Sequence, residues 1–241
     1  MIVIPAIDIK DGKVVRLLQG HFDKVTEYAK DPLALAKHWQ KLGAQWLHVV
    51  DLDGAQTGEM KNLEIIKKIA KTVSIPIEVG GGIRGEKEVK ELLKAKIARV
   101  ILGTRVVREK DFLKKILSLG QDKIAVSLDC SNGFVTQRGW VEVSDIKGTD
   151  FAKDLEAMGL KTLIYTDVAK DGTLSGPNWD GLKEILKTVE ISVIASGGIS
   201  SLDDIKKLMD LKAQNLWGAI TGKAIYENKL DFRKAVELTA K

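Results

Sequence analysis

The stretch IPIEVGGGIRG, residues 75–85, is an apolar run that breaks into three glycines and then turns polar. ISVIASGGISS, residues 191–201, repeats the device, with Gly81 and Gly197, and Ile83 and Ile199, each 116 positions apart. Continuous apolarity suits a strand buried on both faces, as in a parallel sheet, better than the alternation of a half-solvated strand. Working outward, six more such runs occur at 2–7, 46–50, 99–102, 123–128, 162–166 and 217–221. Between them the period becomes helical. Residues 62–73 put Leu63, Ile66, Ile69 and Ala70 on one face, and 202–213 do the same with Leu202, Ile205, Leu208 and Met209. Asp31 ahead of Pro32, and Ser201 with Asp204 three residues on, read as helix starts.

Eight strands alternating with about eight helices in 241 residues match the arithmetic of an α/β (β/α)8 TIM barrel, for which about 250 residues is typical. An open doubly wound sheet is the alternative, but it would carry a glycine-rich fingerprint after the first strand, where this chain has none. No linker divides the sequence, so residues 1–241 read as one domain. The doubling extends beyond the glycines. Asp8 and Asp129 end the first and fifth runs, 121 positions apart; HVVDLDGAQTG (48–58) and IYTDVAKDGT (164–173) align Asp51 with Asp167 at 116. ILGTRVV (101–107) resembles AITGKAI (219–225), with Gly103 and Gly222 offset by 119. Two fused half-barrel repeats, approximately 1–120 and 121–241, are expected. Pro5, inside the first strand, removes a ladder donor and is read as local strain near the site.

The composition, 44% hydrophobic and 29% charged, is that of a soluble globular protein. A net charge of +5 reads as a lysine-rich solvated surface, and 5% aromatic residues are too few for a nucleic-acid groove. Cys130 is the single cysteine, which excludes an intrachain disulfide and a thiolate cage. His21, His38 and His48 are scattered without metal-ligand spacing. The N-terminus has no basic region ahead of its apolar run, and no run approaches the roughly 20 residues that span a bilayer. A cytoplasmic monomer, with no metal and no nucleic-acid or membrane partner, is the expectation.

In a barrel, binding and catalysis occur at the C-terminal ends of the strands. Glycine there lets a ligand approach the backbone closely, and the following helix directs its positive end to the same place. The usual phosphate site, after the seventh and eighth strands, would use Gly197, Gly198, Thr221 and Gly222. The doubling supplies a second copy after the third and fourth: Gly81, Gly82, Gly103 and Thr104. A ligand with a phosphate at each end is implied. Asp8, Asp129 and Asp171, the last in the KDGT loop, fall between the two sites, and opposed carboxylates suit general acid–base chemistry. Arg16, near Asp8, is a candidate substrate contact. His48, within an apolar strand, reads as a core histidine, and Asp51 and Asp53 as capping or loop acids. No serine elbow or Cys/His nucleophile is present.

Taken together, PAIDIKDGKVVRLLQG (5–20), HVVDLDGA (48–55), EVGGGIR (78–84), SLD with RGW (127–140), TDVAKDGTLSGPN (166–178) and ASGGISS (195–201) resemble a known family. It is the phosphoribosylformimino-5-aminoimidazole carboxamide ribotide isomerases of histidine biosynthesis. The resemblance covers essentially the whole chain. It implies a half-barrel-repeat (β/α)8 fold and a cofactor-free Amadori rearrangement of a bisphosphorylated aminoaldose to an aminoketose. It also implies Asp8 as proton acceptor, Asp129 or Asp171 as proton donor, Thr166 as an orienting group, and Trp140 as an aromatic that stacks on substrate. Ser131 departs from the family pattern, which commonly has arginine there. Three rivals are the cyclase subunit of imidazole glycerol phosphate synthase, a bifunctional isomerase that also takes phosphoribosylanthranilate, and a non-catalytic phosphosugar-binding barrel. The first resembles a Cys-Leu-Asp ending where this chain has Ala6-Ile7-Asp8, and the last has no use for three carboxylates.

Overall fold

The structure, a computed structural model, describes residues 1–240 except Thr104, Arg138 and Val141. Strand β1 (Ile2–Lys10) is buried from Val3 to Ile9 and therefore needs a neighbour on each side. It pairs in parallel with β12 (Leu216–Thr221) through Ile2–Pro5 and with β4 (Leu47–Asp51) through Ala6–Ile9. Pro5 falls where the ladder passes from one neighbour to the other, which is how a central strand accommodates a residue without an N–H. From β4 the parallel ladder continues through β5 (Ile77–Gly80), β6 (Arg99–Leu102), β7 (Ile124–Ser131), β10 (Thr162–Asp167) and β11 (Ser192–Ser196) to β12. The circuit closes: this is a (β/α)8 barrel, and its eight strands coincide with the eight apolar runs.

Four further strands were not expected from the sequence. β2 (Lys13–Leu18) and β3 (His21–Ala29) extend β1 as consecutive hairpins; β8 (Phe134–Gln137) and β9 (Glu142–Lys147) do the same for β7. The turns Asp11-Gly12, Gln19-Gly20 and Asn132-Gly133 have positive φ at both residues, the twist that joins right-twisted strands through two residues. These hairpins carry β1 and β7 past Asp8 and Asp129, so the two aspartates lie inside strands rather than at their ends.

Eight helices flank the barrel: α1 (Pro32–Lys41), α3 (Leu63–Thr72), α4 (Glu86–Lys94), α6 (Lys110–Leu117), α7 (Gly148–Ala157), α8 (Trp179–Thr188), α9 (Leu202–Asp210) and α11 (Phe232–Thr239). Short α2 (Leu52–Thr57), α5 (Arg105–Arg108) and α10 (Lys223–Tyr226) follow β4, β6 and β12. The expected starts are present. Asp31 Oδ1 accepts from the backbone N–H of Leu33 and Ala34, and Ser201 with Asp204 forms a capping box.

Inside the barrel, Ile4, Ile101, Ile164, Ile194 and Ile220 fill the centre with two alanines. Below them Arg99 lies between the Trp46 and Trp217 rings, 4.5 and 4.6 Å from their centroids. Its Nη1 donates to Glu78 Oε2 at 2.9 Å, and Glu78 Oε1 is 2.7 Å from His48 Nδ1. Equivalent hydrogen bonds recur in the two halves. Asn62 Nδ2 donates to Asp51, and Asn178 Nδ2 to Asp167, both at 2.7 Å and 116 positions apart. Gln40 Oε1 likewise accepts from Ser74 N, and Glu156 Oε1 from Glu190 N.

Candidate active site

At the open end of the barrel is a cavity of about 290 Å³, with a smaller recess adjoining it beside β11 and β12. Asp8 reaches the cavity from β1 and is only 9% exposed. Arg16, on the next strand of the hairpin, places Nη1 2.8 Å from Asp8 Oδ2. Across the mouth, Asp129 accepts at both oxygens: Ser127 Oγ donates to Oδ1 at 2.7 Å and Trp140 Nε1 to Oδ2 at 2.8 Å. Thr166, paired with Asp129 across the β7–β10 ladder, adds a side-chain hydrogen bond. Burial pushes the Asp129 carboxyl above its ordinary range, while the Ser127, Trp140 and Thr166 donors pull it back.

Asp171 stands on the loop after β10, which is tied to the β2–β3 turn. Gln19 N donates to Asp171 O at 3.3 Å, and Gln19 Nε2 to Ala169 O at 3.0 Å. Burial pushes Asp171 up to about 6, reinforced by the Asp8 and Asp129 charges and opposed by Arg16. The three carboxylates proposed from the sequence thus line one cavity, with Arg16, Thr166 and Trp140. Trp140 also covers the turn glycine Gly20, where a Cβ would overlap the indole. His48 departs from the core reading: it lines the cavity, with its Nδ1 held by Glu78. A histidine in an apolar strand followed by acids at a strand end was the available signal.

The glycines divide by physical cause. Gly81 and Gly82 line the main cavity at φ +96° and +71°. A Cβ at Gly81 would overlap the Asp51 carbonyl, and one at Gly82 would stand 2.8 Å from Gly54 Cα. Gly197 and Gly198 line the recess at φ +87° and +81°, similarly confined by the carbonyls of Asp167 and Gly176. These four glycines are therefore demanded by the turns that carry them, whatever else they do. Gly103 differs: a Cβ there would meet nothing within 4 Å, and its missing side chain leaves open space in the cavity. Gly222 lines the recess beneath the Arg16 guanidinium, which a Cβ would overlap. Thr221 is buried, donates its hydroxyl to the Ile199 carbonyl at 3.4 Å and lines neither the cavity nor the recess, and Thr104 lies outside the described residues.

Two arginines that the sequence reading did not single out, Arg84 and Arg105, also line the cavity beside Gly81, Gly82 and Gly103. The signal was their place one or two residues beyond each glycine device. Asp51 is wholly buried and accepts from Gly54 N, Asn62 N and Asn62 Nδ2, a structural role. Among the described residues no group of three or more His, Cys, Asp or Glu side chains is arranged to hold a metal ion.

A family model described as "Histidine biosynthesis protein" matches residues 2–231. The chain is 48% identical over 239 residues to a Bacillus cereus protein, covering 99% of both chains. That protein is named 1-(5-phosphoribosyl)-5-((5-phosphoribosylamino)methylideneamino) imidazole-4-carboxamide isomerase. A Brevibacillus brevis protein of the same name is 47% identical over 236 residues, 98% of this chain and 95% of its own.

Proposed function

The chain belongs to the histidine biosynthesis protein family, and from that premise we propose that it isomerises the bis-phosphoribosyl imidazole carboxamide for which its relatives are named. The observation that carries this reading is the convergence of Asp8, Asp129 and Asp171 on one cavity whose two ends are glycine-lined. The reaction is an Amadori rearrangement. A general acid protonates the ribose ring oxygen as its bond to C1 breaks, and the nitrogen lone pair forms a protonated Schiff base. A base then removes the C2 proton; the C–H electron pair becomes the C1–C2 double bond, and the iminium pair returns to nitrogen. The enol loses its hydroxyl proton while C1 gains one, giving the aminoketose with no net change in protons.

Asp8 is the base: it reaches the cavity from β1, where Arg16 Nη1 holds its Oδ2 at 2.8 Å. Asp171 is the acid. Burial beside two other carboxylates keeps part of its population protonated near neutral pH, as the task requires. Asp129 is the competing donor, opposite Asp8: burial raises its carboxyl as it does that of Asp171, but both its oxygens already accept hydrogen bonds, an arrangement that favours a carboxylate steadying the cationic Schiff base. Thr166 and Trp140 orient it, and Trp140 closes on the substrate. One phosphate occupies the end lined by Gly81, Gly82 and Gly103, and the other the recess of Gly197, Gly198 and Gly222. Neither end needs a cofactor.

The same reading makes 1–120 and 121–241 half-barrel repeats, and the protein a cytoplasmic monomer. The recurring hydrogen bonds support the first. Among the described residues only Val25, Phe134 and Val143 are exposed large apolar side chains, which supports the monomeric state. Conversion of the aminoaldose bisphosphate, followed optically with the purified chain, tests the function, and absence of turnover would overturn it.

A further inference from the structure

Arg16 is placed between two sites. Its Nη1 stands 2.8 Å from Asp8 Oδ2, while Nη2, Cζ and Nε lie over Gly222, inside the recess formed with Gly197, Gly198 and Lys223. Its Nε is buried and has no hydrogen-bond partner, in a side chain only 11% exposed. The charged and titratable groups facing it are Asp8, Asp171, Tyr28 and Tyr226. On the recess side Lys223 donates to Gly172 O at 3.1 Å and stands 3.8 Å from Glu227. A guanidinium with an unused buried donor, beside a glycine-lined recess, will donate to phosphate oxygens through its planar fork in preference to a single carboxylate oxygen. While it is paired with Asp8 it also occupies the Oδ2 of that carboxylate, which cannot take a substrate proton at that oxygen until the contact is released.

We propose that Arg16 is a positioning residue through which a phosphate in the Gly197–Gly198–Gly222 recess activates Asp8: the phosphate draws the guanidinium toward itself and frees the carboxylate to take the substrate's proton. The step affected is transfer of the C2 proton to Asp8, with the C–H pair left in the conjugated carbon–nitrogen system. This rests on the isomerase reading, with Asp8 as base. The substrate brings its own activator at one end, so the phosphate need not be covalently attached to exert the effect.

Two monophosphorylated substrate analogues, each lacking one phosphate, test this when assayed with and without inorganic phosphite. For one of the two, saturating phosphite is expected to raise kcat at least tenfold, with KM for the analogue changed less than twofold. In Arg16→Met phosphite activation of the same analogue should vanish. Lys223→Ala, which does not touch Asp8, should weaken phosphite affinity while preserving the maximal activation. It keeps the test open if Arg16→Met fails to fold. Turnover of the bisphosphate with neither analogue responding to phosphite would overturn the inference alone, as would undiminished activation in Arg16→Met. No turnover of the bisphosphate would remove the isomerase reading and this inference with it.

Discussion

Asp171 carries opposite consequences for activity and for stability. As the acid, its replacement in Asp171→Asn should lower kcat/KM by roughly 10² to 10⁴-fold, whereas an equal or larger loss in Asp129→Asn with little loss in Asp171→Asn would transfer the role to Asp129. Its folded pKa of about 6 exceeds the ordinary value, so the folded chain holds this proton more tightly than the unfolded one. Stability therefore falls as pH rises from about 4 to about 6, and the penalty persists above that. Denaturant titration should find Asp171→Asn more stable than the unmodified protein at pH 8, by on the order of 2 kcal/mol, with the advantage gone below pH 4. The glycines offer a second contrast at this scale. Gly81→Ala must fit a Cβ into the Asp51 carbonyl at φ +96° and should cost about 2 kcal/mol or more. Gly103→Ala meets nothing within 4 Å, so it should leave the melting temperature almost unchanged and raise KM.

At the scale of elements, burial decides what could be read from the sequence. The eight barrel strands were legible because most of their residues are buried and apolar, with few polar interruptions; β5 and β6 are buried at every residue, Glu78 and Arg99 included. The rim hairpins escaped because β3, HFDKVTEYA, lies mostly in solvent and no buried face imposes a period on it. Its evidence was in the turns: Asp-Gly and Asn-Gly between apolar segments are strong hairpin signals. Site residues followed the same division. Asp8, Asp129 and the glycines were legible from position along a strand, whereas the Arg16–Asp8 contact and the turn of His48 into the cavity depend on hairpin and barrel geometry that no local pattern encodes. Helix ends were legible where a side chain does the capping. Ser201→Ala removes half of the α9 capping box and should lower stability by about 1 kcal/mol in urea unfolding, without affecting turnover.

Over the whole molecule, the Glu78–Arg99 pair ties the third and fourth barrel strands beneath the centre, while the two tryptophans seal the floor. Glu78 is fully buried and Arg99 nearly so, and removing one partner strands the other charge. Glu78→Leu should therefore cost about 3–5 kcal/mol. The double variant Glu78→Leu with Arg99→Met should recover most of that loss, because a buried pair is often replaced by packing at little cost. Calorimetric melting of the three proteins checks this, and a single variant as stable as its parent would contradict it.

The pairing of β1 with β12 also dictates how the chain must be made. Val3 and Ile4 are opposite Ala219 and Ile220, so the first barrel strand lacks one neighbour until 216 further residues have been added. At about 5–20 residues per second, that interval is on the order of ten to forty seconds. Throughout it an apolar strand presents an unpaired edge, the arrangement that invites association between nascent chains. Closure can only be a late event of biosynthesis, and the segment most exposed while it waits is the one that carries Asp8.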